Sequence, residues 1–595
     1  MSLQVWLPLN GNLENQGLFN VNTQNLKSTT FTAGKIGQGL NLITDGQGVS
    51  LVNYMNECSK YSNYSMAAWV YLDSTATNHS STILSSGDWN NGASQCCFAF
   101  YSYNSGYERI LVPNRSGWDE GINVNSKILL NKWYHIAITY DGSNTKAYIN
   151  GEYVGSYPGG GITSTSNNAD LYIGRATYYD GFTLKGKLND VRVYDHCLST
   201  KEIKELAKGL VLHYRLAGPG QANLTKGNNT YERNSASTDG CFWFSGSNFN
   251  CKPSTTYTLS IDIDGTISNF HGGSASTDPA KRWASMWFYL CKTGTSTNAA
   301  GGDYDSPINL NSTNYNFRKI GPTRYAWTYT TPADARSLSI RGNTYSNGTD
   351  AIKVKFWNPK IEEGTIATPW CPRSDESIYT SLGYNNNIEY DCSGYLRNGT
   401  QNGNFTWSAD SPRYATSYLK TSNSKPLINV PTVFVSGASI PEITMACWWK
   451  SDSTTSADRK NLISLGANNF IRFGPNSSTT EWIYCTGTTA TITIPNCMDM
   501  KWHHHVITFK GGVFSVYFDG ELKGTQATSL SAIACSDTTN YIGAYGSSSE
   551  IVPGAFSDAR VYATALSAND IAELYHSAVI VDNTGKNYAY EYFEA

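Results

Sequence analysis

The chain has 595 residues and a formal net charge of −3, and this length predicts three or four domains. Charged residues make up only 15% of the sequence, against a usual share of about 25%, and they form no basic stripe, so we do not expect nucleic acid as a partner. No apolar run reaches the roughly 20 residues of a membrane span, so we expect no insertion into a membrane. The 40 tyrosines and 53 glycines are typical of all-β domains with many turns.

The N-terminal residues 1–17 contain neither a charged n-region nor an apolar h-region, so we expect no signal peptide. The 13 cysteines are an odd number without a C-x-x-C pair, which predicts reduced thiols and gives no support for a zinc ribbon. Both features predict a protein that is assembled in the cytoplasm of the cell that makes it.

One stretch of sequence occurs twice. Residues 131–156 and 500–525 align without a gap and are identical at 10 of 26 positions. A repeat of this length, with matching segments before and after it, predicts two copies of one domain. The flanking matches join residues 66–72 to 445–451 and residues 171–206 to 540–574.

Each copy contains a predicted hairpin and a short predicted helix. The Asn-Gly pair at 150–151 and the Asp-Gly pair at 519–520 favour tight turns, because both pairs accept positive φ angles. Ser199 and Ser567 each precede an acidic residue by three positions, which is the pattern of a helix N-terminus. The predicted helices have one apolar face, which we expect to pack on a sheet.

Three consecutive histidines, His503 to His505, suggest a metal site at first sight. Alternating apolar residues predict a strand here, and on a strand His503 and His505 share one face while His504 points to the other. His504 aligns with His135 of the first copy, and we expect both to face the core. We therefore predict a packed strand without a metal, since the alternative needs a third ligand that the sequence does not identify.

Each copy contains three motifs in the same order: W-x-H-x-x-I-T with Y-x-x-G (Trp133 to Gly151, Trp502 to Gly520), Y-I-G, and G-x-x-x-D-x-R-V-Y-x-x-x-L-S (Gly186 to Ser199, Gly554 to Ser567). In these motifs the repeated unit resembles the LamG/concanavalin A-like family, which occurs singly or in tandem in phage and bacterial surface proteins. This resemblance implies a sandwich of two antiparallel sheets for each copy. Some family members bind calcium through loop oxygens, but we assign no metal and no other cofactor to this chain.

The segment between the copies resembles jelly-roll carbohydrate-binding modules of phage tail proteins, mainly in the run N-P-K-I-E-E-G-x-x-A-T-P-W at 358–370. The family's opening strand, L-V-L-H-Y-R-L at 210–216, is far from the motif D-C-S-G-Y-L-R-N-G-T at 391–400 that normally follows it. This spacing predicts an insertion, which an exposed turn tolerates. The predicted domains are 1–208, a split second copy at 209–216 and 374–595, and an inserted jelly roll at 217–373.

Loops of the first copy carry side chains suited to sugars, whose C–H-rich faces pack on aromatic rings and whose hydroxyls need donors and acceptors. The matching loops of the second copy lack tryptophan, so we favour the first copy. For any single residue, the alternative is a ring that faces solvent or a protein partner. The candidate carbohydrate-binding residues are Asp88, Trp89 and Asn90, then Tyr178, Tyr179 and Asp180, and Trp243 in the middle segment.

These observations favour a non-enzymatic bacteriophage virion protein, in the tail or a fibre, that binds host cell-surface polysaccharide. No catalytic residue is assigned, because the paired-carboxylate motif E-x-D-x-x-E of glycosidases is absent. We expect other virion or tail proteins as partners, and homo-oligomerisation stays open. The alternatives are a structural or decoration protein of the virion, a secreted bacterial adhesin and a glycan hydrolase.

Overall fold

The computed structural model describes residues 3–576, apart from gaps of at most four residues and a set of longer gaps. Within the described residues strands dominate and helices are short, which confirms the predicted all-β class. No described helix has the length and apolar character that crossing a membrane requires. The longer gaps are 87–95, 114–120, 164–169, 177–181, 217–223, 225–230, 244–248, 273–282, 292–305, 310–317, 347–351, 364–387, 421–426, 455–459 and 546–551.

The first repeat copy forms the first sandwich. Its elements in chain order are β1 (Leu3–Leu7), β2 (Thr23–Leu26), β3 (Thr30–Ala33), β4 (Gln38–Leu42), β5 (Gly48–Leu51), α1 (Met55–Cys58), β6 (Tyr64–Leu72), β7 (Ser81–Ser86), β8 (Cys96–Ser102), β9 (Tyr107–Leu111), β10 (Ile122–Ile128), β11 (Trp133–Tyr140), β12 (Asn144–Ile149), β13 (Glu152–Pro158), β14 (Leu171–Ile173), β15 (Gly186–Tyr194) and α2 (Thr200–Lys208). One sheet has the order β13-β12-β11-β6-β15-β4-β3 with β1 beside β15, and the other has the order β10-β9-β8-β7-β14-β5-β2.

Period-2 alternation places the core of the first sandwich between its sheets. In β6, Met66, Ala68 and Val70 join the buried cluster between the two sheets, whereas Ala67 belongs to a smaller cluster with Ile203 of α2 on the outer face. Complete burial of an aliphatic side chain of this size contributes about 1.5–3 kcal/mol. A slip of one residue would exchange the two faces, so this pattern fixes the register of the strand.

The middle unit follows the strand β16 (Leu210–Tyr214). Its strands are β17 (Tyr231–Ser235), β18 (Gly240–Trp243), β19 (Phe249–Asn250), β20 (Thr256–Gly265), β21 (Asn269–Gly272), β22 (Trp283–Cys291), β23 (Ser306–Asn309), β24 (Arg318–Lys319), β25 (Arg324–Thr330), β26 (Ser337–Tyr345) and β27 (Ile352–Glu363). They form one sheet of the order β17-β27-β20-β25-β24 and a second built around β18-β26-β22-β21. Tyr257, Leu259, Ile261 and Ile263, at alternate positions of β20, all lie in the buried cluster of this unit.

The second repeat copy forms the second sandwich. Its elements after the middle unit are β28 (Ile388–Glu389), β29 (Gly399–Asn402), β30 (Thr406–Ser408), β31 (Ser417–Lys420), β32 (Leu427–Val430), β33 (Ser439–Ile440), β34 (Glu442–Lys450), β35 (Ile463–Leu465), β36 (Ile471–Ser477), β37 (Thr480–Cys485), β38 (Thr488–Thr493), β39 (Trp502–Lys510), β40 (Val513–Phe518), β41 (Glu521–Ala527), β42 (Ile533–Ala534), β43 (Asn540–Ile542), β44 (Gly554–Tyr562) and α3 (Ala568–His576). Its sheets have the orders β30-β31-β44-β34-β39-β40-β41 and β28-β29-β32-β43-β35-β36-β37-β38.

The strand β16 lies in the second sandwich, although it precedes the middle unit in the chain. It pairs antiparallel with β44, as β1 pairs with β15 in the first sandwich. Its His213 N–H donates to Asp391 Oδ1 (3.0 Å) and its Tyr214 hydroxyl donates to the Arg397 carbonyl. The strand therefore contacts the 391–400 motif and lies where the order of the family motifs predicts it. The bounds of the three domains stay a prediction.

Each sandwich contains the same bulge in its central strand. Asp190 in β15 and Asp558 in β44 have φ angles of 56° and 53°, values that aspartate tolerates better than most residues. The Asp190 carboxylate accepts from the Trp6 indole N–H (2.6 Å), and the Asp558 carboxylate accepts from His213 Nε2 (2.8 Å). The repeated aspartates therefore fasten the opening strand of each sandwich, which explains their recurrence without a bound metal.

Candidate functional site

Six of the seven candidate residues lie outside the described part of the chain: Asp88, Trp89, Asn90, Tyr178, Tyr179 and Asp180. Trp243 ends β18, where its backbone is paired with that of Arg341 in β26, but its side chain is also outside the described residues. The sugar-binding roles of these residues stay predictions.

The two sheets of the second sandwich have different outer faces. One sheet is covered by α3, whose Ile571 and Leu574 form a buried cluster with Val506 of β39. On the outer face of the other sheet, which contains β36 and β37, no described helix packs. We call this second surface the open face.

Seven strands of the open face place one residue each in direct register. Neighbouring strands lie about 4.8 Å apart, so the row crosses roughly 29 Å of sheet. Its two ends are exposed, and its centre is buried or half-buried. We call this set the cross-sheet row: Thr400, Asn429, Tyr541, Ser464, Arg472, Tyr484 and Thr489.

Arg472 is surrounded by aromatic rings at the centre of the row. Its guanidinium carbon lies 3.8 Å from the ring centroid of Tyr545, 4.8 Å from that of Tyr484 and 5.1 Å from that of Trp482. Trp482 and Tyr484 are two positions apart on β37, so both project from the same face. Each such contact stabilises the cation by about 0.5–2 kcal/mol, depending on its exposure to water. We call these four residues the arginine cluster.

The arginine cluster combines a buried base with a partly open rim. Arg472 is 8% exposed and Trp482 is 1% exposed, whereas Tyr484 and Tyr545 are half-buried. The half-buried rings offer faces for apolar contact beside a buried cation. They are therefore suited to a ligand that has C–H surfaces.

The first sandwich has a different set of residues at the matching positions. Tyr172 corresponds to Tyr541, and Ser85, the residue paired with it, corresponds to Ser464. Cys97 is paired with Ser85 and so occupies the position of Arg472. The arginine of this region in the first sandwich is Arg175, whose guanidinium lies 5.6 Å from the Tyr172 ring centroid.

The arginine cluster was not among the candidates predicted from the sequence, because those candidates were aromatic and polar residues of loops. A signal was present in the stretch E-W-I-Y at 481–484, where alternation places Trp482 and Tyr484 on the face opposite to Ile483. The third ring, Tyr545, follows β43 and is far from the other two in the chain. Only the sheet order brings it over Arg472.

The three histidines at 503–505 lie in three different environments. His503 is bonded through Nδ1 to Asp519 (2.7 Å) and through Nε2 to Asp499 (2.9 Å). His504 is fully buried on the helix-covered face. His505 is bonded through Nδ1 to Glu481 Oε2 (2.9 Å), and both side chains are completely buried between the sheets.

This distribution agrees with the predicted strand, in which His503 and His505 share a face. His504 and His135 do not lie in the core between the sheets, as predicted. Both are buried on the outer face of their sheet, beside Trp448 and Trp69 respectively. Within the described ranges, no three His, Cys, Asp or Glu side chains are placed to hold a metal ion.

Hydrogen bonds to two carboxylates shift the pKa of His503. Burial lowers the pKa of this histidine, but the hydrogen bonds to Asp519 and Asp499 outweigh burial, so its pKa is raised. Burial conversely raises the pKa of Asp519, and the bonds from His503 and from the His504 N–H lower it by more. His503 thus joins strand β39 to the residues Asp499 and Asp519 on either side of it through hydrogen bonds.

A match to a family model shows which family this chain belongs to. The model of the family Laminin_G_3, described as the concanavalin A-like lectin/glucanases superfamily, matches residues 44–204 and 396–572, which is more than half of the chain. The chain belongs to the concanavalin A-like lectin/glucanases superfamily. Its two matches fall within the two sandwiches, so the predicted tandem of lectin-like domains is confirmed. No curated protein matches this lectin-like chain.

Several solved structures are similar to parts of this lectin-like protein. Domain 4 of an extracellular GH43 arabinanase from Geobacillus stearothermophilus, solved with arabinotriose, has 20% identity and a TM-score of 0.28, over 35% of this chain and 98% of that one. The CBM40 of a Ruminococcus gnavus sialidase has 12% identity and a TM-score of 0.21, over 23% and 83%. The receptor-binding domain of botulinum neurotoxin C/D mosaic serotype has 15% identity and a TM-score of 0.28, over 43% and 60%.

Proposed function

We propose that this protein is a non-enzymatic carbohydrate-binding component of a bacteriophage virion, in the tail or a fibre, which holds polysaccharide on the host cell surface. The observation that carries the binding role is the arginine cluster on the open face of a lectin-like sandwich. The family supplies the fold, and the cluster supplies a specific place for a sugar on it.

The chemistry of the open face suits an extended glycan. The half-buried rings of Tyr484 and Tyr545 can pack on the C–H faces of sugars, while threonine and asparagine at the exposed ends of the cross-sheet row can bond to hydroxyl groups. The row is roughly 29 Å long, which is enough for several sugar units. A shallow site of this kind binds weakly on its own, so linked sites or several copies of the chain would supply avidity.

The composition of the open face supports a role without catalysis. Glycoside hydrolysis needs two carboxyl groups about 5–10 Å apart, and the cross-sheet row contains no carboxyl group. Glu481, which precedes Trp482, points to the other side of the sheet and is bonded to His505 in the core. This acidic side chain therefore lies in the core and not on the open face.

The virion context is supported by the resemblance of the middle unit to modules of phage tail proteins, carried by the run at 358–370. The same resemblance makes host surface polysaccharide and other tail proteins the proposed partners. Antibody labelling of phage particles in electron microscopy tests this part, and we expect label on the tail or its fibres. If no label is found on the particles, the virion role is rejected, but the binding role is unaffected.

The binding role is tested with purified protein and host cell-wall polysaccharide in a pull-down and by calorimetry. We expect Tyr484→Ala and Tyr545→Ala each to lower the affinity at least about tenfold, as loss of a stacking ring does. The matched control is Tyr153→Ala, because Tyr153 is 52% exposed on an edge strand away from the open face. If wild type binds no fraction even at high avidity, the protein is a structural virion component instead.

A further inference from the structure

In the first sandwich, the outer face of the sheet that carries α2 has three parts along strand β6. At one end, Ala67 lies in a buried cluster with Ile203 of α2. In the middle, Trp69 lies in the buried cluster of the second sandwich. At the other end, Tyr71 is only half-buried. This third part of the face therefore keeps access to solvent.

Five neighbouring strands place one residue each in direct register in this third part. Neighbouring strands lie about 4.8 Å apart, so the set crosses roughly 19 Å of sheet. Thr30 at its far end is exposed, and the other four residues are half-buried. We call this set the aromatic row: Trp133 on β11, Tyr71 on β6, Lys187 on β15, Asn41 on β4 and Thr30 on β3.

Contacts within and beside the row hold its two rings in place. The ring centroids of Trp133 and Tyr71 are 5.5 Å apart, and the rings are inclined to one another by 51°. The Tyr71 hydroxyl donates to Asn131 Oδ1 (3.3 Å). Lys187 Nζ lies 5.3 Å from the Tyr71 ring centroid and donates to the Ala33 carbonyl (3.2 Å). Side chains that are already held in this way lose less entropy when a ligand binds.

The chemistry and the shape of the row suit one kind of ligand. The two rings can pack on the C–H faces of sugars, and Asn41 and Thr30 supply donors and acceptors for hydroxyl groups. Because the rings are inclined by 51°, two sugar units that pack on them cannot lie in one plane. A flat, ribbon-like glycan therefore fits the row poorly, whereas a glycan that turns between successive units fits it well.

We infer that the aromatic row is a second carbohydrate-binding surface, and that it takes glycans whose successive units are inclined to one another. Trp133 and Tyr71 pack on two successive units, and the polar end of the row bonds to the hydroxyl groups of the next. This inference rests on the proposed carbohydrate-binding function and adds to it a second site and the shape of the glycan. The row lies in the first sandwich and the arginine cluster in the second, so the two sites can be varied separately.

The second sandwich has different residues at the matching positions. Tyr71 aligns with Lys450, and Lys450 is paired with Ala555, as Tyr71 is paired with Lys187. The second copy thus has neither the tyrosine ring nor the lysine beside it. The inclined pair of rings belongs to the first sandwich, and the second copy shows which residues the same fold accepts in its place.

The test compares two glucans that have the same length and composition and differ only in linkage. Maltohexaose is α-linked and turns between successive units, whereas cellohexaose is β-linked and forms a flat ribbon. Binding of each to the full chain is measured by calorimetry. We expect maltohexaose to bind at least about tenfold more tightly than cellohexaose.

Variants then assign this preference to the row. Tyr71→Lys places the residue of the second copy in the first, and should lower the affinity for maltohexaose at least about tenfold and remove the preference between linkages. Tyr71→Phe keeps the ring and should keep the preference. The control is Tyr153→Ala, because Tyr153 is 52% exposed on β13 of the same sheet but lies outside the row. Thermal unfolding of every variant checks that the first sandwich is folded.

The outcomes separate this inference from the proposed function. Equal binding of the two hexaoses, or no binding of maltohexaose, overturns the inference, while binding of host cell-wall polysaccharide by the same protein keeps the proposed function. Unchanged affinity of folded Tyr71→Lys for maltohexaose also overturns the inference, and the row is then a surface for protein packing. If the protein binds neither the hexaoses nor host polysaccharide, the proposed function is rejected and the inference with it.

Discussion

The two sandwiches bury the same tryptophan–histidine pair in different ways. In the first, Trp69 lies beside His135, with ring centroids 5.3 Å apart, and belongs to the buried cluster of the second sandwich. In the second, Trp448 stacks on His504 at 5.1 Å and on Tyr575 of α3 at 5.5 Å. A neighbouring domain thus covers the pair in one copy, and a side chain of its own helix covers it in the other.

One helix residue differs in size between the two sandwiches and corresponds to this difference in burial. The alignment of α2 with α3 places Ala207 opposite Tyr575, so the first copy has a small residue where the second has an aromatic ring. Gly209 then ends α2 with a φ of 63°, and a Cβ there would come within 3.3 Å of the Trp69 ring. The two copies therefore share one fold but differ in one surface. In the first sandwich this surface contacts the neighbouring domain, and in the second it is covered by Tyr575.

Further contacts hold the two sandwiches together at this junction. Trp6 and Tyr395 pack edge to face at 5.3 Å, and Ala563 N–H donates to the Gly209 carbonyl (2.8 Å). Lys35 lies over Trp69 at 5.0 Å. Burial lowers the pKa of Lys35 to about 8, although Glu442 of the second sandwich opposes the shift. The junction thus combines apolar and aromatic contacts with the buried Lys35 and with an ion pair between Lys208 and Asp570 (3.4 Å).

The largest expected effect comes from removing the docked ring. Trp69→Ala should destabilise the protein by about 3–5 kcal/mol, the usual cost of deleting a buried tryptophan, and hydrogen exchange should accelerate in strands of both sandwiches. Trp448→Ala is the matched variant, and its effect should stay within the second sandwich. Faster exchange in the first sandwich alone after Trp69→Ala would contradict the role of this ring in the junction.

A second difference is the buried pair His505–Glu481, since Ile136 stands at the position of His505 in the first copy. His505→Ala leaves Glu481 buried without its bonding partner and should cost about 3 kcal/mol in urea unfolding. The double variant His505→Ile with Glu481→Leu imitates the first copy and should recover most of that loss. A cost below about 1 kcal/mol for His505→Ala would show that the carboxyl group finds another partner.

The junction should also respond to alkaline pH. The pKa of Lys35 is about 8 in the folded protein and 10.5 for an ordinary lysine, so between these values the unfolded chain binds more protons and stability rises with pH. The gain from this group is up to about 3 kcal/mol and is absent below pH 8. Lys35→Met should abolish this part of the pH dependence in unfolding curves from pH 7 to 11. An unchanged dependence would place the effect on other groups.

The smallest expected effect concerns the covering ring of the second sandwich. Tyr575→Ala removes the stacked contact with Trp448, but Tyr575 is only half-buried, so the expected loss is about 1 kcal/mol. Tryptophan fluorescence should shift to longer wavelength as Trp448 gains water. Tyr575→Phe is the control and should keep both stability and emission, since the ring stack remains. A red shift in the control would mean that the hydroxyl matters more than the ring.

Much of the architecture could be predicted from local patterns. Alternation in 501–509 predicted β39 with His503 and His505 on one face. The resemblance of L-V-L-H-Y-R-L to the family's opening strand predicted that β16 belongs to the second sandwich, where it pairs with β44. The candidate binding residues were a weaker prediction, because loops show composition but no fixed geometry. Arg472, Trp482 and Tyr484 were missed since each of them looks like an ordinary strand residue until the register is known.

The sequence by itself determined the strands, turns, helix caps and the repeat, because these depend on residues that are close in the chain and follow fixed periods. The tertiary structure alone decided which strands became neighbours. It brought Tyr545 over Arg472, and it covered Trp69 with a second domain but Trp448 with Tyr575. Such contacts join residues far apart in the chain, so their geometry depends on sheet order and packing, which no local pattern contains.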